Sequence, residues 1–338
     1  MRKLLYALAA SALLFTSWAQ AQPELRSDHP ERYTVVKGDT LWDISARFLN
    51  NPWYWPEIWH VNPQVANPHL IYPGDRLALV YIDGKPRITK VATSDVVKLS
   101  PQVRSEAIDT PIPAIPLDAI ASFLTETRIV TPEEINGAPY VLEGEDGRII
   151  TGAGDRIYAR GEKPADRVGI FRRSKEFVDP DTGEFLGLEA RSIARGNINA
   201  ENGDVLTVGI TKSSEEVRIG DRLLVNEDRR LTTSFVPSSP DNEIEGKMIS
   251  VDGGVSQIGQ YNVVAINRGE REGLTAGNVL AVLKAGNMVR DPVTGETIEL
   301  PSERAGLLMV FQAYEKMSYG LVLQATRPLA VGDKVTNP

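Results

Sequence analysis

The stretch Tyr33-Thr34-Val35-Val36-Lys37-Gly38-Asp39-Thr40-Leu41 packs three local signals into one short run. Its aromatic and β-branched start reads as a strand, and Lys37-Gly38-Asp39 reads as a turn. Thr40 is placed to cap a helix from Leu41, with Asp43 three residues on completing a capping-box-like pair. Leu41, Ile44, Phe48 and Leu49 then fall on one helical face. Next come the connection Asn51-Pro52-Trp53-Tyr54-Trp55-Pro56 and a second short helix, with Pro56 in its first turn and Ile58, Trp59 and Val61 on its apolar face. Asn62-Pro63 ends that helix. After the turn Tyr72-Pro73-Gly74-Asp75, the run Arg76-Leu77-Ala78-Leu79-Val80 reads as a closing strand that pairs with the first. Residues 31–82 are therefore expected to form an α+β domain in the order βααβ.

Upstream of this block lie Arg2 and Lys3, an uncharged apolar run from Leu4 to about Phe15, and the small-x-small site Ala19-Gln20-Ala21. Together they read as a secretory signal peptide over residues 1–21, cleaved after Ala21. The apolar run is shorter than the ~20 residues that a membrane-spanning helix needs. The expected location is the periplasm or cell envelope.

Downstream, residues 83–116 read as a linker containing Pro101, Pro111, Pro113 and Pro116. Beyond it, alternations such as Gly203-Asp204-Val205-Leu206-Thr207-Val208 and Tyr261-Asn262-Val263-Val264-Ala265-Ile266 point to a mostly β region. Asp179-Pro180-Asp181-Thr182-Gly183-Glu184 recurs as Asp291-Pro292-Val293-Thr294-Gly295-Glu296, and Ile219-Gly220-Asp221-Arg222 recurs as Val331-Gly332-Asp333-Lys334, both displaced by 112 residues. Ala153-Gly154-Asp155 and Ala276-Gly277-Asn278 match at another offset. The expectation is two tandem β-rich repeats, over residues 117–230 and 241–338. The Gly-Asp pairs are expected to form tight turns entering strands, with the Asp bonding its own backbone.

Composition removes whole classes of chemistry. The chain has 338 residues, 45 Asp and Glu against 37 Lys and Arg, no Cys, and three His at His29, His60 and His69. Loss of Arg2 and Lys3 with the signal peptide leaves 35 basic against 45 acidic residues, a net charge of −10. No basic footprint for nucleic acid exists. Disulfides, thiol nucleophiles and thiolate metal sites are excluded, and so little imidazole argues against a metal or a triad. No cofactor or metal is expected. A glycosidase would run on carboxylates such as Glu143, Glu176 or Glu184. Those residues sit in Gly-rich turn contexts, so the expectation is a protein that is not an enzyme.

The run Tyr33 to Leu41, with Ile44, Asn62-Pro63 and Leu70-Ile71-Tyr72-Pro73-Gly74-Asp75-Arg76-Leu77, resembles a LysM domain over residues 33–79. The resemblance implies binding of N-acetylglucosamine-containing glycan, chiefly peptidoglycan, in a shallow groove. It places Gly38, Asp39, Thr40 and Leu41 on one wall and Leu70, Ile71, Tyr72 and Pro73 on the other. The sequence departs from the family at Asn51–Pro56, where a short polar link is usual. Trp42 and Trp59 are expected in the core, while Trp53, Tyr54 and Trp55 are either a glycan platform or packing. The resulting expectation is a non-catalytic wall-binding protein whose residues 117–338 engage an envelope protein or form a homo-oligomer. The alternatives are a peptidoglycan-remodelling glycosidase and a structural part of an envelope apparatus such as a flagellar periplasmic ring.

Overall fold

The computed structural model describes residues 23–59, 71–91, 113–225, 235–252, 257–284, 286, 288–299 and 301–338, in two units divided at Ile112 and Pro113. The expected signal peptide, Val61, Asn62-Pro63, Leu70, His60, His69 and most of the expected linker lie outside the described residues.

In the first unit, β1 (Arg32–Thr34), α1 (Leu41–Phe48), a 3-10 turn (Pro52–Tyr54), α2 (Trp55–Ile58) and β2 (Arg76–Ile82) follow the expected order. β1 pairs antiparallel with β2, Tyr33 opposite Leu77. The Thr40 Oγ1 accepts from the Asp43 amide at 3.1 Å, and its hydroxyl donates to Asp43 Oδ2 at 2.7 Å, so α1 starts at the cap that the sequence supplies. Leu41, Ile44, Phe48 and Leu49 are all buried, as are Trp42 and Trp59. Trp55 joins them in the core, whereas Trp53 and Tyr54 stay half-buried and stack on each other at 3.8 Å.

The sheet does not stop at β2. β3 (Lys85–Lys90) pairs with it along its whole length, in residues that the composition suggested were linker. Pro86 is tolerated because β3 is an edge strand and Pro needs only one side of the ladder. Ile88 is fully buried and bridges to Trp59.

The second unit is strand-rich. After α3 (Ala121–Glu126), β4 (Thr127–Val130) and α4 (Pro132–Gly137) come β5 (Tyr140–Gly144), β6 (Ile150–Thr151), β7 (Arg156–Arg160), β8 (Arg167–Val178), β9 (Phe185–Asn202), β10 (Val205–Ser213), β11 (Val217–Arg218) and β12 (Arg222–Val225). The strands pair in the order β10-β7-β5-β12-β8-β9, and β9 pairs again with β10, which closes the ring; β4 adds at the edge of β9. Then follow β13 (Glu245–Val251), β14 (Val263–Ile266), β15 (Val279–Lys284), β16 (Met288–Arg290), β17 (Thr297–Glu299), β18 (Glu303–Ala313), β19 (Ser318–Ala325) and β20 (Lys334–Thr336). Here β13, β14, β19, β18, β15 and β20 form a closed barrel.

The two rings share one pairing order, and the agreement extends to register. Val141 opposite Ala159 becomes Met248 opposite Ile266, and Ile170 opposite Leu223 becomes Val282 opposite Val335. Even the irregularities coincide, between Ile170 and Phe171 in one and Val282 and Leu283 in the other. Each ring is filled by its own apolar cluster, around Ile157, Val168 and Leu223 in the first and Val264, Leu280 and Val335 in the second.

The Gly-Asp turns behave as expected. Asp155, Asp221 and Asp333 each accept a 2.8 Å bond from the amide three residues upstream, and Gly154, Gly220 and Gly332 all have φ near +90°. One sequence match is reassigned by the pairing. The turn of Ala153-Gly154-Asp155 leads into β7, whose counterpart β14 follows Gly259–Asn262 rather than Ala276–Asn278. In both turns the Asp or Asn accepts from the amide three residues back, at 2.8 Å in one and 2.7 Å in the other.

Candidate glycan-binding site and docked hairpin

The predicted walls of the groove come together through Val35. Its amide donates to the Asp75 carbonyl at 2.9 Å and its carbonyl accepts from Gly74 at 2.8 Å, which sets the Val36–Asp39 turn beside the Tyr72–Asp75 turn. Gly38 and Gly74 take φ of +98° and +93°, with open space where a Cβ would stand, so backbone conformation alone selects glycine there.

The side chains of Asp39 and Thr40 are buried and already engaged. Asp39 Oδ2 accepts from the Tyr33 hydroxyl at 2.9 Å and from the Val36 amide at 2.8 Å. Burial first, and then this bond to Asp39, push the Tyr33 hydroxyl above its ordinary pKa. Leu41 and Ile71 are also buried. Of the predicted residues, Gly38 is exposed and Tyr72 and Pro73 are half-buried, while Leu70 is not among the described residues. Tyr72 is fixed by Asp75, whose Oδ2 accepts from its amide at 3.0 Å, and Lys90 Nζ bonds the same carboxylate at 2.6 Å while lying 6.0 Å from the Tyr72 ring centroid. Val36, 54 % exposed, stands at the same turn as these residues and was not singled out from the sequence. The β alternation that buries Val35 and turns Val36 outward was the signal.

No paired-carboxylate chemistry emerges from Glu143, Glu176 and Glu184. Glu143 is exposed on β5, and Glu176 is exposed and bonded to Arg173 at 3.3 Å. Glu184 is held by Arg271 at 2.8 Å and 2.9 Å and by Lys316 at 2.8 Å, and these bonds bring its pKa down to about 2. A general acid for glycoside cleavage needs the opposite shift. Glu184 lines a cleft of about 570 Å³ with Ile129, Phe185, Tyr314 and Lys316, and Glu134 in the same cleft is paired with Arg128. Among the described residues no group of three or more His, Cys, Asp or Glu could hold a metal ion, and no helix is long and apolar enough to cross a membrane.

What the sequence did not disclose is the role of the β8–β9 turn. Asp179 is buried; its Oδ1 accepts from the Asp181 and Thr182 amides and its Oδ2 from the Asn267 side chain at 2.8 Å, with Arg268 at 3.5 Å. Burial pushes its carboxyl up, but these donors together bring it below the ordinary aspartate value. Asp181 pairs with Lys247, and the Tyr319 hydroxyl donates to Glu189 at 2.8 Å. The hairpin of the first ring is thus docked on the second.

Comparison with known proteins agrees with the first unit. A 60-residue segment is 38% identical to the uncharacterized protein YqbP of Bacillus subtilis (strain 168), spanning 15% of this chain and 27% of that protein. Residues 33–79 match the LysM domain family, and this segment of the chain is a LysM domain.

Proposed function

We propose that the protein is a non-catalytic component of the bacterial cell envelope that docks on peptidoglycan through its LysM domain and presents a duplicated β-barrel module to a protein partner. Glycan binding of the peptidoglycan or chitin type is what a LysM domain implies. The observation that carries the reading is the pair of turns joined at Val35, because Asp39 and Thr40 are spent on the fold and recognition is left to loop backbone and the rim of Gly38, Tyr72 and Pro73. An N-acetyl sugar needs amide and carbonyl partners for its acetamido group and an apolar face for its ring.

The shared pairing order and register of the two rings support duplication of a unit of about 110 residues. The offset is 107 residues for the first two strands and 112 for the rest, because five more residues separate Ile266 from Leu280 than separate the equivalent Ala159 from Val168. Export follows from the N-terminal segment, with Gln22 as the first residue of the mature chain. Absence of a basic surface excess favours groove contacts over electrostatic adhesion to anionic wall polymers. Pelleting with purified sacculi, compared with a chain lacking residues 22–90, tests the proposal. N-terminal sequencing of the periplasmic form tests export.

A further inference from the structure

The second ring carries the same hairpin as the first, and among the described residues no hydrogen bond or ion pair ties its turn to another element. In both turns the first Asp amide donates to the Glu carbonyl at 2.8 Å, the Gly amide donates back to the Asp carbonyl at 2.9 Å, and the Gly has φ of +73° or +74°. Among the described residues, the bonds of the Asp291–Glu296 turn stay inside the hairpin, and Val293 at its tip is 90 % exposed, with Val289 and Ile298 exposed behind it.

The surface that receives the first hairpin also has a counterpart. Register places Tyr140 where Lys247 stands, since Tyr140 opposes Arg222 as Lys247 opposes Lys334. Arg160 follows Ala159 as Asn267 follows Ile266, and Asp204 occupies the place of Lys316. Arg160 and Asp204 are exposed and bonded to each other at 2.7 Å.

We propose that the β16–β17 hairpin of one molecule seats on the first ring of a second copy, so that the contact made inside the chain is repeated between chains, head to tail. This inference rests on reading the rings as a duplication. Its support is the paired replacement at the tip. Asp181 and Lys247, an ion pair inside the chain, give way to the exposed Val293 and to Tyr140, a half-buried ring with the Arg222 guanidinium 5.2 Å from its centroid, so the charged pair is replaced by an uncharged one on both sides at once. Asp291 keeps the carboxylate of Asp179, and Arg160 supplies a cation in place of the Asn267 amide.

The match is partial. Register sets Glu296 against Asp204 instead of Lys316, Thr207 stands where Tyr319 bonds Glu189, and the added residues of the β14–β15 connection that provide Arg271 have no equivalent in the first ring. The contact is therefore weaker between chains than within one. Being heterologous, it does not close on itself, and mass grows with concentration rather than stopping at a dimer. On the wall, such stacking would add LysM domains to each assembly and raise retention without a new glycan contact.

Analytical ultracentrifugation of the chain from Gln22, without glycan, reads this directly. The expected result is a weight-average mass that climbs with concentration. Val293→Asp and Tyr140→Lys each weaken association about tenfold, and the two together restore it by rebuilding the pairing of Asp181 with Lys247. Far-UV circular dichroism and melting of Tyr140→Lys check that the first ring still folds, because the substitution sets a second cation opposite Arg222 and removes the ring that Arg222 lies over at 5.2 Å. A strict monomer, a closed dimer, or association indifferent to these substitutions would overturn the proposal. Sacculus binding and the stability of Asp179→Ala report separately on the LysM reading and on the docked hairpin.

Discussion

The Asp179 carboxylate accepts a buried 2.8 Å hydrogen bond from the side-chain amide of Asn267, linking a hairpin of the first ring to the second across 88 residues of chain. The equivalent Asp291 accepts from the Val293 amide and the Thr294 hydroxyl within its own turn and is only half-buried. Asp179→Ala should therefore cost about 2–3 kcal/mol, the range for hydrogen bonds to a charged group. Asp291→Ala should stay nearer about 0.5 kcal/mol. Urea titration followed by far-UV circular dichroism checks both; equal losses would mean that docking adds nothing.

Acid should loosen the same contact. Glu184 has its pKa lowered from 4.5 to about 2 by bonds to Arg271 and Lys316. A depressed folded-state value means that the contribution is fully present above about pH 4.5 and disappears as pH falls towards 2. Glu184→Gln should flatten the acid side of the stability profile of the second unit. Unchanged acid sensitivity in that variant would place the titrating group elsewhere.

Every tryptophan after residue 21 lies in the LysM domain, at Trp42, Trp53, Trp55 and Trp59, so fluorescence of the chain from Gln22 reports that domain alone. Thr40→Ala removes the cap on α1 and should cost the domain about 1 kcal/mol. Asp39→Ala should cost more, because both the Tyr33 hydroxyl and the Val36 amide lose their acceptor. The second unit should melt unchanged in both variants.

Tyr72 is half-buried at the rim of the proposed groove, and its backbone amide donates to Asp75. Tyr72→Ala should weaken binding of N-acetylglucosamine oligomers about tenfold, ~1.4 kcal/mol, while leaving the fluorescence-detected melting within a few degrees. Calorimetric titration compares the variants. Equal binding would move recognition away from this wall.

What could be read from the sequence was local. The cap at Thr40, the helix face ending at Leu49 and the Gly-Asp turns are each set by residues a few positions apart, and all stand in the structure as expected. β3 was hidden because Lys85, Pro86, Arg87 and Lys90 look like linker, and only Ile88, buried against Trp59, gives the strand its reason to form. Closure of the rings depends on pairings such as Ile170 with Leu223, which no short window contains. The same limit misaligned Asn278 with Asp155: turn sequences repeat, but strand partners decide which turns correspond. At the proposed site, the motif marked Leu41 and Ile71 as groove walls, whereas both side chains are buried in the structure and Gly38, Tyr72 and Pro73 are the more accessible of the marked residues.

The most direct test of the central claim is co-sedimentation of the chain from Gln22 to Pro338 with purified sacculi, beside a version lacking residues 22–90, with soluble sugar release measured in the same tubes. The account predicts that the longer chain pellets, the shorter one stays in solution, and no muropeptides appear. Equal pelleting of the two, or release of muropeptides, would contradict a non-catalytic protein anchored by its LysM domain.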